Sequence, residues 1–534
     1  MNRLNTKNTC NGKDHNDWNR RSFLQALGFA GIGAMTLGNN QLTYANTSKL
    51  NEAIQSSNSD NILVTIQLFG GNDGLNTIAP LNQYDLYRNY RPTLGFKENE
   101  LWKLSDEYAM PTFTQSLEKL WKEDQMKVIH SVGYENLIQS HFKGSDIWEG
   151  AYIDNSHETG WLGRYFEYKH PEYNSTPPEA PAAIQIGGQS NVSFNSNETR
   201  YNFSVSNVNK LKSIIEEGVS YRLEGLPEDD YGDTLRFLRG MYNSTSNHAE
   251  VIHDAYHQSK DYTTGIGYDT LNNFGEDLSI ISRLIKGNLG TRVYSITVSG
   301  FDTHVGQADK HQSLLTQLSE AISYFYEDLN QAGWGDKVLT MVSSEFGRRI
   351  AENGGAGTDH GVAGPIMLFG SGLDGNGFIG EHGSLAPDKL YNNRDLQWHT
   401  DFKQVYSNIL KYWMLVDKDV VDSVVFGEPY EKLQLFEKQS KLSPTENTLD
   451  KYQVFTHEVI QNSEGASISI GNPHTQHTVI RLFDLNGKQV RTLSNSILKE
   501  GKHYFPVNKK GLQTGYYIYK ISSNTNEATG KIIL

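Results

Sequence analysis

Ile62-Leu63-Val64-Thr65-Ile66-Gln67-Leu68-Phe69-Gly70-Gly71-Asn72-Asp73-Gly74 decides the fold of this 534-residue chain. Eight mostly apolar residues running into two glycines read as a buried strand that ends in a tight turn. Asp73 then stands just past the carboxyl end of that strand, where open α/β sheets hold their ligands. Further short apolar runs at 126–132, 182–186, 292–298, 337–342 and 366–369 also read as strands. Amphipathic stretches separate them. Leu314, Leu315, Leu318, Ile322, Phe325 and Leu329 share one helical face, as do Leu278, Ile281, Leu284 and Ile285. Phe402, Val405, Tyr406, Ile409, Leu410 and Trp413 form a third stripe, with Thr400 as its expected N-cap. Strand alternating with helix predicts an α/β domain with a doubly wound, mostly parallel sheet.

A chain of this length exceeds one hydrophobic core, so a large domain and a smaller one are expected. The formal net charge is −14, with no long basic run. That excludes nucleic acid and anionic membrane surfaces as natural partners. Arg20-Arg21-Ser22-Phe23-Leu24 precedes a Gly/Ala-rich apolar stretch too short to span a bilayer comfortably, and Thr43-Tyr44-Ala45 offers a small-residue cleavage site. This segment resembles a twin-arginine export signal covering residues 1–45, with a retained anchor helix as the alternative. Its removal would take away five basic and two acidic side chains, moving −14 to −17, and would also remove Cys10, the only cysteine. The mature chain is then expected to have no disulfide, no thiol chemistry and no transmembrane anchor.

Residues 46–435 are expected to form the α/β domain and 436–465 a polar linker, broken most clearly at Lys441-Leu442-Ser443-Pro444-Thr445. After it the period changes to two. Val479, Arg481 and Phe483 alternate with Ile480, Leu482 and Asp484, Asn486-Gly487 supplies a hairpin turn, and 515–521 reads as another strand. A small all-β, immunoglobulin-like sandwich over 466–534 is predicted. Ile468-Ser469-Ile470-Gly471-Asn472-Pro473, Leu482-Phe483-Asp484-Leu485-Asn486-Gly487-Lys488, Gly511-Leu512-Gln513-Thr514-Gly515-Tyr516-Tyr517 and Gly530-Lys531 resemble the type A C-terminal sorting domain of type IX secretion. The resemblance implies delivery to the outer-membrane translocon, then release or anchoring at the cell surface. A carbohydrate-binding sandwich is the alternative.

The chemistry concentrates at strand ends in the large domain. Asp73 reads either as a metal ligand or as an ordinary turn cap. Asp302 and His304 lie two apart, so in extended backbone both side chains leave the strand on one side, a pairing that suits one divalent ion. Glu345 and Arg348 set an acid and a bidentate anion binder at the same rim, with a mutual salt bridge as the alternative. Asp359 and His360 sit in the Gly-rich segment 354–364, where backbone freedom brings side chains inward. His311 reads equally well as structural. Ser140 is placed to begin a helix, where the dipole favours developing negative charge, so it reads as a nucleophile or a plain cap. His141 beside it reads as ligand, base or partner of Ser140, and Asp146, Trp148 and Glu149 as supporting groups.

Gly70-Gly71-Asn72-Asp73-Gly74-Leu75-Asn76, Ser140-His141-Phe142, Gly300-Phe301-Asp302-Thr303-His304, Ser344-Glu345-Phe346-Gly347-Arg348 and Gly357-Thr358-Asp359-His360-Gly361 together resemble the secreted domain-of-unknown-function family 1501. That family is grouped with the alkaline-phosphatase-like superfamily, whose members set a Ser or Thr nucleophile beside two divalent metals. The resemblance implies Asp73 as first acid, Ser140 as nucleophile, Asp302 and His304 as third element, Glu345 as fourth and His360 as last. Phe346 stands where the superfamily has an imidazole, and Asp302 and His304 are spaced closer than usual. One metal on Asp302, His304 and His360 is therefore expected, with Asp73 and Glu345 left for a second. Zinc, calcium and magnesium all remain open as the ion. The implied activity is hydrolysis of a small-molecule or glycan-linked anionic ester, a phosphate ester or diester above all. Ser140 would be the in-line nucleophile and Arg348 would hold the non-bridging oxygens. A formylglycine sulfatase is disfavoured, because the chain beyond residue 45 has no Cys and no Ser-x-Pro-x-Arg. A metal-dependent carbohydrate esterase and a non-catalytic surface protein that binds glycans or partners are the other readings.

Overall fold

The structure, a computed structural model, describes residues 60–436 and 456–533 apart from short stretches, chiefly within 154–157, 171–176, 207–220, 260–266 and 427–429. The expected export signal, Cys10, most of the expected linker and the Asn486-Gly487 turn lie outside the described residues. The chain divides into two compact units between Gln439 and Ser440.

The quoted run becomes strand β1, Ile62–Phe69, at the centre of a sheet with eight further strands among the described residues. The others are β2 (Met126–Gly133), β3 (Ala183–Ile186), β4 (Asn202–Val205), β5 (Val293–Ser299), β6 (Val338–Ser343), β7 (Gly364–Phe369), β8 (Gly377–Ile379) and the pair Thr400–Asp401. Their order is β8-β2-β7-β6-β1-β5-β3-β4, with Thr400–Asp401 beside β2. β1 pairs in parallel with both neighbours, Leu63 lying opposite Val293 on one side and Leu339 on the other. Only β7 runs antiparallel to its neighbours, so the mostly parallel sheet expected from the pattern is present.

Alternation along β1 feeds two cores. Ile62, Val64, Ile66 and Leu68 pack in one core with α4 (Asn273–Lys286) and α5 (Gln307–Gln331), while Leu63 joins the other with α2 (His141–Gly150) and α6 (Phe402–Asn408). Helices on both faces keep every central strand out of water, which is why these strands read as unbroken apolar runs. α6 continues into a wider π turn at Ile409–Trp413. There Trp413 Nε1 donates to the Ile62 carbonyl at 3.0 Å, and Asn61 Nδ2 donates to the Trp413 carbonyl at 2.8 Å. The expected cap of α6 is corrected by one position. Asp401 accepts from the Lys403 N–H at 2.7 Å, and Thr400 and Asp401 both pair with β2, opposite Val132 and Gly133.

Asp73 caps the short helix α1, Gly74–Thr77, by accepting from Asn76 N at 3.4 Å. Its other oxygen accepts from Arg91 Nη1 at 2.6 Å and from Gln307 Nε2, and neither charged side chain is exposed. Burial pushes the Asp73 carboxyl up, but the Arg91 charge and hydrogen bond outweigh that and hold it below the ordinary carboxylate range. Arg91 also donates to the carbonyls of Ile350 and Arg349 at 2.8 and 2.9 Å, so the pair ties the first turn to the loop beyond β6.

The second unit is all antiparallel. Strands β9 (Thr456–Asn462), β10 (Gly465–Asn472) and β13 (Gly501–Val507) form one sheet in the order β9-β10-β13. β11 (Gln476–Phe483), β12 (Gln489–Leu498), β14 (Tyr516–Ser523) and β15 (Glu527–Ile533) form the other, in the order β12-β11-β14-β15. Ile468 and Ile470 from the first sheet share one core with Ile480, Leu482, Ile521 and Ile532 from the second, which makes the unit a sandwich. β9 lies inside the stretch expected to be linker, and at the other end Phe436 is fully buried in the large unit. Thr456-His457-Glu458-Val459-Ile460-Gln461-Asn462 has two apolar residues, too few to signal an edge strand.

Removing Asp73 would strand a buried guanidinium, so Asp73→Ala is expected to cost about 3–5 kcal/mol of folding free energy. Denaturant unfolding of metal-free protein checks this. A loss below about 1 kcal/mol there, with lost metal binding, would return Asp73 to the metal site.

Candidate metal centre

The carboxyl ends of β1, β2, β5 and β6 all open on the same side of the sheet, and each is followed by a segment that reaches one place. Gly70 makes the approach possible. With φ at +125°, any Cβ on it would stand 2.2 Å from the Asp302 nitrogen, so the turn after β1 and the turn after β5 touch backbone to backbone. The Gly-rich loop is laid down by a short antiparallel ladder. Arg348 bridges His360, Arg349 N donates to the Asp359 carbonyl, and Gly361 N donates to the Gly347 carbonyl, each of these two bonds being 2.9 Å.

Four side chains converge there. Asp302 Oδ1 lies 3.1 Å from His304 Nε2 and 3.4 Å from both His141 Nε2 and His360 Nε2. His304 Nε2 and His360 Nε2 are 2.9 Å apart. His141, Asp302 and His360 alone supply three donor atoms within 4.8 Å of one another.

The far nitrogen of each ring decides what the near one offers. His141 Nδ1 meets Glu345 Oε1 at 2.7 Å, His360 Nδ1 meets the Gln139 carbonyl at 3.0 Å, and His304 Nδ1 faces Asp359 Oδ1 at 3.4 Å. Each of those partners accepts, so the proton belongs on Nδ1 and a bare lone pair on Nε2 points inward. The buried Nε2 of His141 consequently has no hydrogen-bond partner, and its 3.4 Å contact with Asp302 joins two acceptors. Three lone pairs and a carboxylate facing each other repel unless a cation lies among them. The donor set thus fits a divalent metal ion held by His141, Asp302 and His360, with His304 Nε2 beside Asp302 and His360 as a further donor.

The cluster's own electrostatics set how readily its members take a proton. Burial pushes the Asp302 carboxyl up, but the hydrogen bond and charge of Arg348, with the fields of His141 and His304, bring it down to about 2. The Glu345 hydrogen bond raises the His141 pKa, while burial lowers that of His360.

Of the expected site residues, the structure brings together His141, Asp302, His304 and His360. Asp359 supports His304 instead of joining the cluster, held in turn by Asn353 Nδ2 at 3.0 Å and Arg349 Nη1 at 2.9 Å. Glu345 is fully buried and orients His141, accepting also from Gly70 N at 2.8 Å and Ser344 Oγ at 3.1 Å. Asp73 is spent on Arg91. Both acids are engaged with other partners, and among the described residues one cluster of three or more metal-binding side chains forms.

Arg348 departs furthest from expectation. Its side chain is wholly buried and donates to the carbonyls of Gly71 (2.7 Å), Thr358 (2.6 Å), Phe301 (3.1 Å) and Gly70, and to Asp302 Oδ1 at 2.8 Å. It clamps loops and none of its side chain is exposed. Phe346, the residue in place of an imidazole, lies against His141 and His360 with ring centroids 5.0 and 4.8 Å away. Ser140 stands at the N-cap of α2, is exposed, and makes no side-chain cap bond, so its hydroxyl is not spent on the helix. His311 is structural, bonding Asn72 Oδ1 at 3.0 Å. Trp148 stacks on Phe402, and Glu149, which burial pushes up to about 8, accepts from Val192 N at 2.6 Å; neither supports the cluster. Sequence reasoning left His141 undecided, although its place after β2 matches that of the other ligands. The backbone carbonyl of Gln139 carried no signal.

Residues 134–425, more than half of the chain, match the family described as protein of unknown function DUF1501. The chain belongs to the DUF1501 family. The matched span contains every residue of the metal cluster and leaves β1 with Asp73 outside it. Residues 463–534 match the secretion system C-terminal sorting domain, which directs the protein through type IX secretion to the cell surface or beyond. No curated protein matches the chain. Solved structures similar to this DUF1501 chain include an alkaline phosphatase superfamily protein from Vibrio parahaemolyticus, at 7% identity over 86% of this chain and 85% of that one, TM-score 0.29. The lipoteichoic acid synthase LtaP from Listeria monocytogenes is 6% identical over 83% and 93%, TM-score 0.29. The PsFucS1 sulfatase from Pseudoalteromonas sp. is 8% identical over 87% and 88%, TM-score 0.32. These are loose overlaps, and the site geometry stands without them.

In this DUF1501 centre, Glu345→Ala is expected to weaken metal binding about 10–100-fold by removing the acceptor that fixes His141. The wild type should lose metal as pH falls through the imidazole range. His141 takes its proton first, above its ordinary 6.5, because Glu345 favours the charged ring. Asp302 stays ionised throughout. Metal content by mass spectrometry after dialysis at graded pH checks both; retention of metal at pH 4 would contradict the assignment.

Proposed function

We propose that this protein is an exported, metal-dependent hydrolase that acts on phosphate esters or diesters. One ion would be held by His141, Asp302, His304 and His360, with Ser140 as nucleophile. The observation that carries the reading is the set of three Nε2 lone pairs facing one carboxylate; Ser140, the residue before His141 in the chain, has a hydroxyl that makes no cap bond. Three imidazoles with one carboxylate favour zinc over calcium or magnesium, which prefer all-oxygen ligands. A bound zinc supplies Lewis acidity toward the oxygen of an ester group.

The chain's own residues supply position and proton control. The N-terminus of α2 presents Ser140 where the helix dipole favours negative charge on the hydroxyl oxygen. Glu345, Asp359 and the Gln139 carbonyl keep the ligand rings oriented, and Phe346 keeps water from the inner side of two of them. Half-exposed Asp302 leaves the cluster open to solvent on the outer side. Arg348 is given no substrate contact here, since its donors serve the loops.

The exported route is read as twin-arginine translocation through Arg20 and Arg21 followed by type IX secretion. Residues 1–45 would be the signal, 46–435 the hydrolase domain, 436–465 the connection and 466–534 the sorting domain.

Metal analysis of gently purified protein, coupled to a panel of phosphomonoesters, phosphodiesters, sulfate esters and acetylated sugars, tests the reading. About one zinc per chain and hydrolysis of a phosphoester are expected. Ser140→Ala should lower turnover by at least about a thousandfold with metal content unchanged. Full activity in that variant would remove Ser140 as nucleophile. Protein without bound metal would favour a glycan- or partner-binding surface protein.

A further inference from the structure

Two large apolar side chains stand in water on the segments that carry the metal cluster. Phe142 is 80% exposed and Val305 is 74% exposed, the two highest values for large apolar residues among those described. Each directly follows a ligand, Phe142 after His141 and Val305 after His304. Both imidazoles pack near the cluster's third ring, with centroids 4.4 and 4.7 Å from that of His360. Ile138, 37% exposed, comes just before Gln139, whose carbonyl holds His360. The segments come from different strands, so only tertiary structure collects these side chains around one centre.

The phenyl ring of Phe142 has a support but no cover. Phe69, at the end of β1, lies against both it and His141, with ring centroids 6.1 and 5.6 Å away. Phe69 therefore holds the aromatic face in step with a metal ligand. Val305 leans on the Gly-rich loop, where a Cβ on Gly355 would meet its Cγ2 at 3.2 Å. A polar, cation-binding centre flanked by exposed apolar surface suits a ligand with an anionic head joined directly to a body that has an apolar face.

We infer that Phe142 and Val305 form a specificity rim that takes the ring face of the group esterified to the anion at the metal. The shared chemistry is a flat apolar face, which an aryl ring and the C–H face of a pyranose both present. The inference rests on the phosphoester reading above and narrows its substrate to monoesters in which the ring carries the ester directly.

The test uses the metal-loaded full chain with Ser140→Ala, so that bound esters are not consumed. Calorimetry compares inorganic phosphate, phenyl phosphate and glucose 1-phosphate. At least one ring ester should bind roughly tenfold more tightly than phosphate, the scale set by covering part of one phenyl ring. Phe142→Ala combined with Val305→Ser should erase that margin without changing metal content or phosphate affinity; both positions are exposed, so folding is not at stake. A margin for phenyl phosphate alone assigns the rim to aryl groups, and one for glucose 1-phosphate alone assigns it to sugars. If phosphate binds but neither ester gains, or if the margin survives both substitutions, the rim is overturned and the phosphoester reading stands. If the metal-loaded protein binds none of the three, both fall together.

Discussion

The site depends on one buried guanidinium. Arg348 reaches the carbonyls of Gly70, Gly71, Phe301 and Thr358 and the carboxylate of Asp302, so a single side chain joins the turns after β1 and β5 to the Gly-rich loop. Carbonyls at strand ends have no ladder partner, and burying them unpaired would cost about 1–3 kcal/mol each. A planar fork with five donors satisfies several at once, which a lysine ammonium could not do from the same position. The same fork fixes Asp302, around which the three imidazoles gather. Positioning of the ligands and satisfaction of the backbone are therefore one event.

Around that clamp the polar groups fall into two shells with different duties. The inner groups present lone pairs; the outer groups are acceptors that keep protons on the far sides of the rings. Glu345 shows why an acid at a strand end need not be a ligand. Once buried against Gly70 N and His141 Nδ1, it is worth more as an orienting carboxylate than as a donor to an ion it does not face. Asp73 illustrates the same rule more strongly, since its charge is cancelled by Arg91 with no water access at all.

Much of the fold was legible. β1 spans the residues its apolar run marked, and the other five expected strands of the large unit differ by no more than two residues at either end. Burial on both faces writes itself into sequence as uninterrupted apolar residues, so these signals were strong. The signals failed where pairing, not hydropathy, decides structure: the polar edge strand β9 passed for linker, and the cap of α6 fell one residue later, on Asp401. In the site, motif spacing singled out Asp302, His304 and His360, which the fold brings together. It could not show that Arg348 is buried, because an arginine near acids looks the same whether its fork faces solvent or four carbonyls.

By itself the sequence determined the layered α/β unit, the β tail with its sorting signal, and the list of strand-end side chains from which a metal centre is drawn. Those follow from periodicity and local turn chemistry, which act over a few residues. Only the tertiary structure decided which acids face inward, that His141 completes the set, that Phe346 packs against two ligand rings, and that Phe142 and Val305 stand uncovered beside them. The reason is physical: protonation, pairing and exposure depend on what lies within about 4 Å in space. For Arg348 and Phe301 those neighbours are 47 residues apart in the chain, and no pattern along the chain records them.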